Sequence, residues 1–101
     1  LVAPLPRFHQ VKKTIHVDDA RKEPLLRASI QRLDRQLLEG RTRDLTIDGF
    51  KRCYQDHAWL LVRPSGTEPL VRVYSDAPTR ERAEQLASDG ARIVEEALRA
   101  L

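Results

Sequence analysis

The residues best suited to chemistry lie in one polar stretch, residues 63–69, which reads Arg-Pro-Ser-Gly-Thr-Glu-Pro. An arginine and two hydroxyl groups are donors that proteins use to bind an oxyanion such as phosphate. Gly66 permits a positive φ and a close approach of ligand to backbone, and Pro64 and Pro69 stiffen both ends of the stretch. The pattern predicts an anion-binding loop.

Two apolar runs, residues 58–62 and 70–74, flank this loop and predict a pair of strands. Pairing Arg63 with Leu70 gives the hairpin one fully aliphatic face, because side chains alternate across a sheet. The members of that face are Leu60, Val62, Val71 and Val73. A shift of one residue would mix aliphatic and charged side chains, so the pattern favours this register.

The same register brings Arg63 and Arg72 to the opposite face, beside the hydroxyl groups of Ser65 and Thr67. With backbone N–H groups near Gly66, these side chains form a cradle for a dianion. The residues alone leave a second interpretation open, in which the loop is an ordinary turn that is rich in turn-forming residues. The loop also lacks the GxxxxGK[ST] pattern of a nucleotide-binding loop.

Length and composition indicate a single globular domain. The chain has 101 residues, of which 41% are hydrophobic and 33% charged, and its net charge is +3. No apolar run approaches the ~20 residues that a membrane helix needs. Cys53 is the only cysteine, which excludes an internal disulfide and favours a reducing, cytoplasmic compartment. The chain has no methionine, and we expect it to be a piece of a longer protein.

The first half of the chain predicts a linker, a strand and a helix. Residues 1–7 contain two prolines and are typical of an interdomain linker, and residues 8–17 show the partial alternation of a strand. Residues 24–39 predict an amphipathic helix that ends at Gly40. Its apolar stripe consists of Leu26, Ile30, Leu33 and Leu37. His9 and His16 have no partners at a metal-ligand spacing, so we predict no metal site.

The second half predicts further strands and a closing helix. Residues 42–47 and 50–54 are predicted strands around an Asp48-Gly49 turn, and a long helix follows from the N-cap Thr79 to about Ala100. We therefore predict an α+β fold in which two helices pack on one face of a mostly antiparallel four-stranded sheet, with the strand at residues 8–17 left open as a fifth.

Residues 61–74, Leu-Val-Arg-Pro-Ser-Gly-Thr-Glu-Pro-Leu-Val-Arg-Val-Tyr, closely resemble the phosphate-binding loop in the last domain of the α-D-phosphohexomutases. This family includes phosphoglucomutases, phosphomannomutases and phosphoglucosamine mutases. The resemblance implies a TATA-box-binding-protein-like fold, with residues 8–101 as the fourth domain of the enzyme. The implied parent interconverts hexose 1-phosphates and 6-phosphates through a hexose 1,6-bisphosphate and uses Mg²⁺.

The resemblance also implies roles for single residues. Arg63, Ser65, Gly66 and Thr67 correspond to the positions that grip the phosphate that is not transferred, and the strand register adds Arg72. The catalytic serine and the magnesium loop of the family have no match here, so we expect no catalytic residue and no activity from this chain alone. The expected partners are a hexose phosphate and the other domains of the same protein, with no nucleic acid and no membrane.

Two rival hypotheses assign the chain a role without catalysis. The first is a nucleic-acid-binding module that uses Lys12, Lys13, Arg41 and Arg43 together with the loop arginines. It predicts binding that weakens steeply with salt. The second is a free-standing interaction domain. The basic residues are scattered and interspersed with aspartates, which favours the phosphate-binding hypothesis over both.

Overall fold

The computed structural model describes residues 8–46 and 48–101, which form two helices and five strands. In chain order these are β1 (His9–His16), α1 (Asp19–Leu33), β2 (Arg41–Leu45), β3 (Phe50–Tyr54), β4 (Trp59–Pro64), β5 (Leu70–Ala77) and α2 (Arg80–Arg99). The predicted linker at residues 1–7 and the predicted end of a strand at Ile47 lie outside the described residues.

All five strands belong to one antiparallel sheet in the order β1-β5-β4-β3-β2. The α+β class is confirmed, and the sheet has five strands in place of the four main ones predicted, because the N-terminal strand, which the prediction left open as a fifth, pairs with β5 from His9 to His16. The strands β4 and β5 therefore lie inside the sheet, with a neighbour on each side. The TATA-box-binding-protein-like assignment stays a prediction.

Both helices pack on one face of the sheet, as predicted. The fully buried side chains of β4 and β5 include Leu60, Val62, Val71 and Val73. Their alternating neighbours, such as Leu61 and Tyr74, are only half-buried. Helix α2 approaches closely at Gly90, where a Cβ atom would lie 2.8 Å from Cδ1 of Leu60. The aliphatic face is thus the seat of the core, and the opposite face remains open among the described residues.

The register of β4 against β5 differs from the prediction by two residues. Arg63 lies opposite Arg72 and Pro64 lies opposite Val71, whereas the predicted register paired Arg63 with Leu70. Because the side-chain period of a strand is two, a two-residue shift leaves every side chain on its predicted face. The predicted register is therefore wrong, although the two faces have the predicted members.

Helix α1 also differs from its prediction. It begins at Asp19 and ends at Leu33, so Pro24 lies inside the helix and removes one backbone hydrogen bond there. The buried face consists of Leu25, Ser29 and Leu33. Members of the predicted stripe that are only partly buried are Leu26, Ile30 and Leu37. The predicted stripe differs from the buried face because the central residue of that face is Ser29. A hydrophobicity pattern does not mark a serine as buried.

A buried arginine accounts for the early end of α1. Arg52 of β3 has no exposed surface, and its Nη1 donates to the carbonyl oxygens of Leu33 at 2.8 Å and Gln36 at 2.7 Å. Its Nε and Nη2 donate to the carboxylate of Asp44 at 2.8 and 3.0 Å. The last carbonyl groups of a helix need partners from outside it, and Arg52 supplies one to Leu33, the last residue of α1, and a second to Gln36 just after the helix. Gly40, the predicted end, instead lies in the following turn with a φ of 76°.

The remaining predictions for the second half of the chain agree closely with the structure. Strand β3 has the predicted bounds, and Asp48 and Gly49 form the turn before it with φ angles of 56° and 144°. Helix α2 begins at Arg80 after Thr79, whose Oγ1 accepts a hydrogen bond from the N–H of Arg82 at 3.2 Å. The predicted cap is thus confirmed.

Candidate functional site

The predicted anion-binding loop joins β4 and β5 and is closed by its own hydrogen bonds. The N–H of Ser65 donates to the carbonyl oxygen of Leu70 at 3.0 Å. The Oγ of Ser65 accepts from the N–H groups of Thr67 at 3.3 Å and Glu68 at 3.1 Å. Since a hydroxyl group accepts two hydrogen bonds and donates one, the proton of the Ser65 hydroxyl is still free to bind an anion.

All five predicted site residues line one cavity of about 220 Å³. They are Arg63, Ser65, Gly66, Thr67 and Arg72, and Pro64 and Tyr74 complete the lining. At ~30 Å³ per water molecule, the volume corresponds to about seven waters. A phosphate group, with one phosphorus and four oxygen atoms, therefore has room in this cavity.

The two arginines of the cavity differ in their partners. The side chain of Arg72 is 29% exposed, and its Nη2 donates to Oε1 of Glu68 at 3.1 Å. Arg63 is exposed, and no carboxylate lies within ion-pair distance of it among residues 8–46 and 48–101. Two arginines and one glutamate leave a net positive charge at the cavity, which attracts an anion.

Gly66 does not use the positive φ that a glycine permits. Among the described residues, the glycines with a positive φ are Gly40 and Gly49. A Cβ atom built on Gly66 would meet no atom within 4 Å, so the loop itself has space for a side chain there. What remains of the prediction is the close approach of a ligand to the Gly66 backbone, which a side chain would obstruct.

Sequence reasoning missed two residues at this site. Tyr74 lines the cavity, and the signal was available, because it lies two residues after Arg72 and therefore on the same face of β5. Lys22 of α1 donates from Nζ to the carbonyl oxygen of Ser65 at 2.7 Å. The two residues are 43 positions apart, and the predicted helix began after Lys22, so no local pattern could have found this contact.

The described residues do not fit a metal ion. No group of three or more His, Cys, Asp or Glu side chains is placed to hold one within residues 8–46 and 48–101. The Mg²⁺ that the resemblance implies for a parent enzyme therefore has no candidate ligands in this part of the chain. Its presence in a parent stays a prediction, and no step below depends on it.

The basic residues of the rival nucleic-acid hypothesis lie far apart. Lys12 and Lys13 belong to β1, whereas Arg41 and Arg43 belong to β2, at the other edge of the sheet. Four inter-strand spacings separate the two edges, about 19 Å. As for membranes, neither described helix is both long and apolar enough to cross one. The predicted cytoplasmic location stays a prediction.

A comparison with protein families shows which family this chain belongs to. The family described as "Phosphoglucomutase/phosphomannomutase, C-terminal domain" matches residues 8–93, which include the whole sheet and the cavity. The chain belongs to this family. The phosphoglucomutase/phosphomannomutase C-terminal domain was the family that residues 61–74 predicted, and that prediction is confirmed.

Individual relatives carry several mutase names. A phosphopentomutase of Thermococcus kodakarensis is 37% identical over 101 residues, which cover 96% of this chain and 22% of that protein. A phosphoglucomutase/phosphomannomutase of the same organism is 35% identical, with 98% of this chain and 20% of that protein covered. A probable phosphoglucosamine mutase of Pyrococcus abyssi is 33% identical, with coverages of 98% and 21%. The chain spans about a fifth of the length of these curated relatives.

Proposed function

We propose that this chain binds the phosphate group of a hexose phosphate, as the C-terminal domain of a phosphohexomutase. The observation that carries the proposal is the convergence of Arg63, Ser65, Gly66, Thr67 and Arg72 on one cavity. Each charge-assisted hydrogen bond contributes about 1.5–3 kcal/mol. Two or three of them sum to about 3–9 kcal/mol, and the cost of association, about 4 kcal/mol or more, leaves a millimolar affinity or a weaker one. The chain alone therefore binds phosphate weakly.

The charges of the cavity favour a doubly charged phosphate. Arg63 and Arg72 lie opposite each other on neighbouring strands, where two like charges repel. A dianion between them replaces this repulsion with two attractions, whereas a monoanion neutralises only one charge. Because the second pKa of a phosphate monoester is about 6, affinity should rise between about pH 5 and pH 7.

In a mutase reaction, this loop holds the phosphate that stays on the sugar. The parent interconverts the 1-phosphate and the 6-phosphate through a bisphosphorylated intermediate, so a grip on one phosphate orients the sugar for transfer of the other. The residues of this chain bind and orient the substrate and take part in no covalent step. The phosphoryl-carrying serine and Mg²⁺, which neutralises charge on the transferred group, belong to other domains of the parent. The isolated chain is inactive.

The sugar ring is not read by the loop. Arg63, Ser65 and Thr67 are suited to phosphate oxygens, which glucose, mannose and N-acetylglucosamine phosphates share. One relative is named a phosphopentomutase, so pentose phosphates belong in the same test. We expect this chain to bind hexose and pentose phosphates with similar affinity, and the choice of sugar to rest with the rest of the parent.

Titration by two-dimensional NMR of the 101-residue chain tests the proposal. Glucose 6-phosphate should shift the amide signals of Gly66 and Thr67, and free glucose should not. Arg63→Ala should weaken binding about tenfold, the effect of one charge-assisted hydrogen bond. Arg43→Ala is the matched control, because it removes the same exposed charge from β2, at an edge of the sheet.

Two results would contradict the proposal. One is that glucose 6-phosphate, at concentrations of tens of millimolar, does not shift the NMR signals of residues 63–69. The other is an equal loss of affinity in Arg63→Ala and Arg43→Ala, which would mean that net charge alone attracts the ligand.

A further inference from the structure

We propose that Lys22 of α1 is a positioning residue for the phosphate loop. Its ammonium group holds the carbonyl oxygen of Ser65 and fixes the loop in its anion-binding shape before a ligand arrives. Lys22 is not among the residues that line the cavity, so it acts through the loop and not on the ligand. The inference rests on the proposed function, since it names a residue that prepares the same site.

The contacts of Lys22 are those of an ordered side chain. Its Nζ lies 2.7 Å from the carbonyl oxygen of Ser65 and 2.7 Å from Oδ1 of Asp19. The side chain of Lys22 is 13% exposed, whereas that of Asp19 is 81% exposed. A lysine gives up much rotamer freedom when it is ordered in this way. The two oxygens that it contacts therefore compensate for the burial of its charge.

The helix itself gains little from a cation at this position. Lys22 is the fourth residue of α1, close to the positive end of the helix dipole, where a carboxylate is preferred. Asp19, in the first turn, offsets this charge. The helix dipole thus disfavours Lys22 and the pair with Asp19 offsets that cost, whereas the contact with Ser65 is what Lys22 adds outside the helix.

The hydrogen bond to Lys22 determines where the next N–H points. In a planar trans peptide, the carbonyl oxygen and the following N–H point in opposite directions, and the described chain has no cis peptide. With the Ser65 oxygen turned to α1, the N–H of Gly66 points away from α1. Gly66 lines the cavity, and its N–H has no hydrogen-bond partner among the described residues. It is therefore a free donor for an anion.

The same stretch of chain holds the other end of the loop. The N–H of Val17, between β1 and α1, donates to the carbonyl oxygen of Pro69 at 3.0 Å. Residues 17–22 thus contact the loop at Ser65 and at Pro69. Loss of the Lys22 contact releases the Ser65 end alone, so we expect the loop to loosen without losing its connection to the sheet.

The test measures phosphate affinity and loop motion in the 101-residue chain. Inorganic phosphate is titrated into wild type, Lys22→Gln, Lys22→Arg and the control Lys13→Gln, an exposed lysine of β1. Lys22→Gln should bind about tenfold more weakly, as expected for one charge-assisted hydrogen bond. Lys22→Arg keeps a donor for Ser65 and should recover most of the affinity. The heteronuclear NOE of Gly66 should fall in Lys22→Gln of the unliganded protein and stay unchanged in Lys13→Gln.

The outcomes separate this inference from the proposed function. If wild type binds no phosphate, both proposals fail. If wild type binds and Lys22→Gln binds equally well, or loses no more than Lys13→Gln does, the inference about Lys22 alone is overturned. If Lys22→Gln does not fold, a measurement on wild type tests the inference instead. The ammonium protons of Lys22 should exchange with water more slowly than those of Lys13, and equal rates would also overturn the inference.

Discussion

Arg63 of β4 lies directly opposite Arg72 of β5, so two guanidinium groups share one face of the sheet beside the loop. Like charges directly opposite each other destabilise a strand pair. Arg72 is partly neutralised by Glu68, whereas Arg63 has no such partner among the described residues. The unliganded chain thus holds two cations together that an anion would bridge.

Arg63→Gln should therefore stabilise the unliganded chain while it weakens binding. Removal of the like-charge pair should raise the free energy of unfolding by about 0.5 kcal/mol. Phosphate affinity should fall about tenfold, because one charge-assisted donor is lost. Urea unfolding and an NMR titration measure the two effects. Arg43→Gln is the control, since Arg43 lies opposite the neutral Cys53, and an equal gain in stability there would rule out the repulsion.

Glu68→Gln should strengthen phosphate binding. In the unliganded chain the Glu68 carboxylate accepts a hydrogen bond from Arg72 at 3.1 Å and so competes with an incoming anion. Without this charge we expect about threefold tighter binding, which lies within the free-energy range of an exposed ion pair. Glu95→Gln is the control, because it removes the same negative charge from an exposed glutamate of α2. Weaker binding in Glu68→Gln would instead show that Glu68 shapes the loop.

Two glycines should respond to alanine in opposite ways. Gly49 has a φ of 144°, and a Cβ there would lie 2.5 Å from the carbonyl oxygen of Val62, so Gly49→Ala should destabilise the fold by more than about 1 kcal/mol. Gly66→Ala should leave the melting temperature within a degree or two, because its Cβ meets nothing. Its phosphate affinity should fall, because Gly66 lines the cavity and a methyl group would obstruct a ligand that approaches its backbone. Unchanged affinity would mean that the ligand does not approach Gly66.

Asp44 should contribute stability that acid removes. Hydrogen bonds from Arg52 lower the pKa of Asp44 below its ordinary value of 3.8. A carboxyl group with a lowered pKa stabilises the fold above its unfolded pKa, and this stability is lost as the pH falls through its folded pKa. Urea unfolding from pH 7 down to about pH 2 should therefore show a fall below about pH 4 that Asp44→Asn lacks.

At pH 7 the same variant leaves the fully buried Arg52 without its carboxylate, which should cost about 3 kcal/mol. Asp89→Asn is the control, because Asp89 accepts a surface hydrogen bond from Gln85. A loss in Asp44→Asn that is no larger than the loss in Asp89→Asn would contradict the role of the buried pair.

The sequence predicted which side chains lie on each face of the central hairpin, but it did not predict the register of the two strands. Alternation has a period of two, so it excludes a shift of one residue and cannot distinguish registers that differ by two. That is why Leu60 and Val62 were assigned to the core face while Arg63 was paired with the wrong residue. The loop residues themselves were found because hydroxyls, glycine and arginine lie together in the chain.

Contacts between distant parts of the chain could not be predicted. Ser29 is buried in α1, and its polarity displaced the predicted apolar stripe of that helix. Arg52 is charged and occurs in a short strand, so no pattern indicates that it is fully buried and caps α1. Lys22 meets Ser65 only once α1 lies against the sheet. In each case tertiary structure outweighs a local preference.

Helix α1 is attached to the sheet at both of its ends, by Lys22 to Ser65 in the loop and by Arg52 of β3 to the carbonyl of Leu33. It therefore acts as a strut between the loop and β3, the strand next to β4. The loop cannot swing toward a ligand by itself without breaking the Lys22 contact. A closing movement that keeps this contact must carry helix, loop and sheet as one rigid body, with its hinge outside them.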